Sequence, residues 1–142
     1  MQEQNFKNHA RYVTGWHFIT PIVLLAVLIG SIRNLIYSDS SNLYSASLVV
    51  AISAILWLIW FYERLFALKA QDRAICAEEN FRHYLLTGKP LDSRLTRRQI
   101  IGLRFASDAE FPALAAKSAE EGTKEIDIKK SITNWKADNY RA

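Results

Sequence analysis

Polar and apolar positions along this chain follow two different rhythms. Between Arg11 and Arg33 lie 21 residues without one Asp, Glu, Lys or Arg, and between Asp39 and Glu63 lie 23 more. At about 1.5 Å rise per residue, either run forms a helix long enough to cross a hydrocarbon layer of about 30 Å. Ser38-Asp39-Ser40-Ser41-Asn42 joins them and is too short to hold a domain. The pattern predicts an all-α membrane protein built on a two-helix transmembrane hairpin. Its parts are an N-terminal tail over 1–15, transmembrane helices over 16–37 and 44–62, a link over 38–43, a helical stalk over 63–88 and a small helical module over 91–142.

Beyond Tyr62 the rhythm changes. No Gly or Pro appears until Gly88, so the second helix is expected to run on as the stalk. Phe66, Ala70, Ala74, Ala77, Phe81 and Tyr84 recur every three or four residues and predict one narrow apolar face. Lys69, Asp72, Arg73, Glu79 and Arg82 fall on the other side, with Glu78 and Arg82 spaced for an i,i+4 ion pair. Gly88 and Pro90 supply the stop. Thr96 with Gln99 and Ser107 with Glu110 each read as a capping box, and Pro112 suits the first turn of a helix reaching Gly122. A last helix from about Asp127 places Ile128, Ile132 and Trp135 on one side. About 50 residues is marginal for an independent core, so the module is expected to fold onto the stalk, whose apolar face is read as packing on a partner.

At the start of the first span, Thr20 and Pro21 fit either a helix opening there, capped by Thr20, or a kinked helix beginning earlier. Tyr12 and Trp16 arrive where an interfacial belt is expected. Ser38 and Ser40 give a small-x-small pattern, but the apolar run before them is far longer than the 7–15 residues of a signal-peptide core. A retained hairpin is therefore expected.

Charge orients the hairpin. Lys7 and Arg11 precede the first span, Arg64, Lys69, Arg73 and Arg82 follow the second, and the link holds no Lys or Arg, so the positive-inside rule places both termini in the cytoplasm. Arg33, about a turn inside the outer end, is expected to snorkel toward Asp39 or lipid phosphate. The net charge of +4 is unevenly spread: residues 64–104 hold nine basic and four acidic groups, residues 105–142 six and seven. Arg94, Arg97, Arg98 and Arg104 form a basic segment suited to anionic phospholipid headgroups. Nucleic acid is a weaker fit, because the helix from Pro112 to Glu121 carries Lys117 as its one basic residue where a reading helix needs several polar or basic side chains.

Within the spans, Ala26, Gly30, Ser47, Ala51 and Ala54 are small residues at helical spacing. They are expected to pack the two helices of the hairpin, or else to form an oligomer face.

Candidate chemistry is sparse. Glu79 and His83 sit one turn apart but no third metal ligand is in register. Cys76 is the only cysteine, which excludes an intramolecular disulfide, and with Arg73 one turn away it reads as a small packing residue. There is no Gly-rich phosphate loop and no nucleophile elbow. No catalytic residue, cofactor or metal is expected.

Three stretches carry a resemblance: Gln4-Asn5-Phe6-Lys7-Asn8-His9, Leu103-Arg104-Phe105-Ala106-Ser107-Asp108, and Asn134-Trp135-Lys136-Ala137-Asp138-Asn139-Tyr140-Arg141. Together they make the chain similar to a family of small bacterial two-pass membrane proteins known only as a domain of unknown function. That resemblance implies a membrane hairpin with a cytoplasmic tail, in the bacterial inner membrane, and brings no activity with it. The expected role is that of a non-enzymatic interaction, scaffold or accessory subunit that binds another protein or its own copies. A small oligomeric channel or transporter component is the alternative, and a membrane-tethered nucleic-acid-binding protein the next.

Overall fold

The computed structural model describes residues 4–9 and 12–138. Arg11, one of the orienting charges, and Asn139, Tyr140 and Arg141 of the third stretch lie outside them. The described residues form five α-helices: α1 Thr20–Ile36, α2 Leu43–Thr87, α3 Arg97–Leu103, α4 Phe111–Glu121 and α5 Glu125–Ser131. Two compact units divide the chain, one comprising Arg11–Phe66 and the other Met1–Ala10 with Ala67–Ala142.

In the first unit, a wider π-helical turn, Gly15–Ile19, precedes α1. Helical hydrogen bonds already begin at Val13, whose carbonyl accepts from the His17 amide at 2.8 Å. The helix therefore starts before Pro21. Thr20 is no cap, for both its amide and its hydroxyl donate to the Gly15 carbonyl. Pro21 can donate no hydrogen bond and its ring crowds the preceding turn, which a locally widened turn accommodates.

Covered positions recur every three or four residues on both helices: Leu24, Leu28, Ser31 and Leu35 on α1, and Ala46, Val50, Ser53, Trp57 and Trp60 on α2. This is the spacing of a left-handed helix pair. Ser31, Ala46 and Ser53 are its most buried points, at 5, 2 and 2% exposure. The hydroxyls of Ser31 and Ser53 donate to the carbonyls of Leu28 and Val49 on their own helices, so they enter the seam already satisfied. At one end Trp16 stacks on Trp60 at 4.8 Å, and the Arg64 guanidinium lies 5.2 Å from the Trp16 ring. At the other end Arg33 lies over Tyr37 rather than pairing with Asp39.

The small residues expected to pack this hairpin do not. Ala26, Gly30, Ser47, Ala51 and Ala54 are all exposed, and a Cβ added at Gly30 would meet nothing within 4 Å. The seam follows positions 46, 50, 53, 57 and 60, and residues 47, 51 and 54 are turned away from it by helical geometry.

In the second unit, α2 continues without interruption to Thr87, and Gly88 ends it in the left-handed conformation at φ 73°. Thr96 and Gln99 form the expected capping box at α3. The side-chain amide of Gln99 also donates to the carbonyls of Ser118 and Thr123, tying α3 to the end of α4. Gly122 stops α4 at φ 64°. Leu103, Phe105, Phe111 and Ile128 are fully buried and centre the core. Gly102 brings α3 against α5, for an added Cβ would lie 3.2 Å from the Glu125 carbonyl oxygen.

One expectation is refined here and two are corrected. The module folds onto the stalk, but on the polar face: Ile75 and Glu79 are buried, while Phe66, Ala70, Ala74, Ala77, Phe81 and Tyr84 are exposed. Arg82 pairs with Glu79 rather than Glu78. The last helix ends at Ser131, so Trp135 reaches the core from extended chain, through an isolated antiparallel bridge to Ala106.

Candidate functional site

Two clusters of polar and aromatic side chains lie in the second unit. The first is built where the chain leaves α3. Past Leu103 the backbone turns extended and pairs with the segment after α5: the Lys136 amide donates to the Phe105 carbonyl at 2.8 Å, and the Ser107 amide to the Asn134 carbonyl at 3.0 Å. This pairing sets the Trp135 ring 4.9 Å from Phe105. His9 completes the group, edge-on to Phe105 at 5.7 Å and 5.8 Å from Trp135, with Phe6 stacked beyond it at 5.9 Å. The Gln4 side chain accepts from the Asp138 amide at 2.7 Å and donates to its carbonyl.

Cations surround these rings. Arg104 lies 4.5 Å from the centre of Phe105 and Lys129 5.5 Å, while Lys130 lies 5.9 Å from that of Phe6. Such positions over a ring face are electrostatically favourable. The three stretches that carry the family resemblance, far apart in sequence, are thus joined around Phe105 and Trp135.

The second cluster centres on Arg82. Its guanidinium donates to Glu79 at 2.9 Å, to Asp108 at 2.7 Å and to the Ala106 carbonyl at 2.7 Å, and stacks 4.4 Å over Phe111. Burial raises the Glu79 carboxyl above its ordinary value, against the opposing pull of Arg82. The bond from Arg82 holds Asp108 low. His83 turns elsewhere: its Nδ1 lies 2.8 Å from the Lys89 carbonyl, the position of a donor. Glu79 and His83 thus face different partners, and among the described residues no three His, Cys, Asp or Glu side chains gather as metal ligands.

Glu110 was expected to cap α4. It accepts the Ser107 amide at 3.5 Å, one half of the expected capping box, and also receives the amides of Thr133 and Asn134 and the Thr133 hydroxyl, holding the segment before Trp135. Burial raises this carboxyl, but the bonds together outweigh it and leave the group low. Glu125 is similar, with burial offset by Lys129 and Arg98. At Cys76 burial outweighs the charge of Arg97 and pushes the thiol up, away from nucleophilic reactivity at neutral pH.

The basic segment divides. Arg94 is bidentate on Asp92, holding that carboxyl at about 2. Arg97 and Arg98 are exposed, Arg98 reaching Glu125 only at 3.5 Å. Arg104 departs from the expectation of lipid contact: its side chain is 10% exposed and pairs with Asp138 at 3.1 Å. The sequence reading missed the Arg82 cluster and the docking of residues 4–9, although the resembling stretches marked two of the surfaces involved.

These features define an all-helical protein in which two helices are long and apolar enough to cross a membrane, with a small helical module braced by internal ion pairs. The chain belongs to the family of unknown function DUF6526, which it matches over residues 1–142. No curated protein and no solved structure matches it.

Proposed function

We propose that this is a two-pass integral membrane protein of the bacterial inner membrane, both termini cytoplasmic, whose helical module serves as an interaction or accessory subunit rather than as an enzyme. One observation carries the membrane reading. The two long helices are apolar on the outside, with Ile22, Ile29, Ile32, Ile52, Leu58 and Ile59 between 42 and 67% exposed, while their seam buries Ser31, Ala46 and Ser53. A helix in the core of a water-soluble protein buries its large apolar residues; this arrangement is stable when lipid covers them. Aromatic rings sit near both ends, Trp16 and Trp60 at one and Tyr37 and Tyr44 at the other, as interfacial anchors do.

The interaction role is supported by how the module uses its charged groups. Glu79, Arg82, Arg104, Glu125 and Lys129 are engaged with one another or with neighbouring side chains and act as architecture. Arg97 and Arg98 stay outward and supply the contact with anionic headgroups, worth about 1 kcal/mol for each basic residue near the surface.

Cysteine labelling in a Cys76→Ser background tests the topology. Asn42→Cys is expected to react with an impermeant maleimide in intact cells, and Lys117→Cys only after the membrane is opened. Release of the protein by alkaline carbonate, or labelling of both sites from outside, overturns the reading.

A further inference from the structure

We infer that the exposed face of the stalk between Ala67 and Tyr84 pairs in parallel with the same face of a second copy of this chain. The inference rests on the membrane reading above, because copies inserted the same way round present their stalks in the same direction.

The face has the register of a two-stranded coiled coil. Ala67, Ala74 and Phe81 are spaced by seven, as are Ala70, Ala77 and Tyr84, and the two sets alternate at intervals of three and four. All six are exposed, Phe81 at 62% and Tyr84 at 54%. The module cannot cover them, since it occupies the opposite side through Ile75, Glu79 and Arg82. Alanine at four of the six positions permits close approach of two helix backbones, and the two rings add large apolar surface at the far end.

Charge selects both the occupant and its direction. In this register Arg73 and Glu78 take the flanking positions that meet across a parallel pair, Arg73 of each copy facing Glu78 of the other. Both side chains are exposed, and neither makes an ion pair within its own chain among the described residues. In an antiparallel pair these two positions fall on opposite sides of the seam and do not meet.

Short bismaleimide cross-linking in native membranes, with Cys76→Ser as background, tests the pairing. Ala70→Cys and Ala77→Cys are expected to cross-link to themselves, and Lys69→Cys, off the face, is not. Arg73→Glu brings like charges together and is expected to weaken association about tenfold, with Glu78→Arg restoring it in the double variant. A monomer at every position, equal linking at Lys69→Cys, or linking of Ala70→Cys to Phe81→Cys in place of itself overturns the parallel pair. So does a stalk that lies on lipid, which leaves residues 70 and 77 unlinked. Fractionating the same cells separates the two readings: recovery in the soluble fraction with linking at 70 and 77 intact removes the membrane reading and keeps the dimer.

Discussion

The guanidinium of Arg82 lies flat over the ring of Phe111 at 4.4 Å while its nitrogens bond Glu79, Asp108 and the Ala106 carbonyl. One planar group thereby locks the stalk to the loop between α3 and α4. Removing it strands a Glu79 side chain that is 10% exposed. Arg82→Ala is expected to lower stability by about 3 kcal/mol, the scale for breaking one side of a buried pair. Arg82→Lys recovers less than half, since an ammonium can neither fork nor stack in this way. Thermal unfolding in mild detergent, with cleavage within 91–138 as a second probe, measures both.

The carboxylates of the module respond to pH in opposite senses. Glu110 is held below its ordinary 4.5, so its contribution is fully present above that pH and is lost as pH falls through its lower folded value. Glu79 is held above 4.5, so the fold gains stability as pH falls through its raised value and carries a burden at neutral pH. Glu110→Gln is expected to lower the Tm at pH 7, the loss vanishing in acid. Glu79→Gln is expected to raise the Tm at pH 7, the gain shrinking as the wild-type carboxyl takes up its proton. Melting curves across pH 3–8 check both signs.

Arg97 and Arg104 belong to one basic run in sequence but are assigned different work. Arg97→Ala with Arg98→Ala is expected to weaken binding to vesicles rich in anionic lipid, with stability lowered by at most about 0.5 kcal/mol, because both side chains are exposed and the Arg98–Glu125 pair is long and open to solvent. Arg104→Ala is expected to destabilise the module by about 1–3 kcal/mol, through loss of Asp138 and of its stacking on Phe105. Vesicle flotation and thermal unfolding of the same preparations separate these effects.

Local chemistry was legible in the sequence, and long-range choice was not. Thr96 with Gln99, the stops at Gly88 and Gly122 and the uninterrupted run of α2 are each decided within a few residues. Which face of the stalk the module takes is decided by Arg82 reaching Ala106 and Asp108, 24 and 26 residues away. An alanine stripe gave little weight to set against those bonds. Trp135 fits a helical period with Ile128 and Ile132, yet Glu110 captures the Thr133 and Asn134 amides and pulls the chain out of the helix. The seam of the hairpin was hidden for a related reason: several small positions were available, and only helix pairing selects Ser31, Ala46 and Ser53 over Ala26, Gly30 and Ala51.

Gly102 and Gly30 make opposite predictions for the same substitution. A Cβ at Gly102 would stand 3.2 Å from the Glu125 carbonyl oxygen and 3.3 Å from its Cγ, at the crossing of α3 and α5. Gly102→Ala is expected to cost about 1–3 kcal/mol, as overpacking does. At Gly30 the added carbon meets nothing within 4 Å, so Gly30→Ala leaves the stability of the hairpin unchanged or slightly raised by helix propensity. Equal losses at the two sites, measured by unfolding, would refute the assignment of Gly30 to an outer face.

Residues 4–9 act as a strap across the aromatic cluster. Gln4 brackets the backbone of Asp138, while His9 lies against Phe105 and Trp135 and Phe6 stacks on His9. The bonds that close the cluster, from the Lys136 amide to Phe105 and from the Ser107 amide to Asn134, lie in extended chain outside any helix. Such bonds exchange through local opening and depend on the packing above them. Phe6→Ala with His9→Ala is therefore expected to speed hydrogen exchange at Lys136 and Ser107 at least tenfold, equivalent to about 1.4 kcal/mol of local stability. The amide of Gln99, bonded at the far end of α3, serves as the internal standard and is expected to keep its protection. Uniform acceleration across the module would mean that the strap supports the whole core, and no change at Lys136 would mean that it supports nothing there.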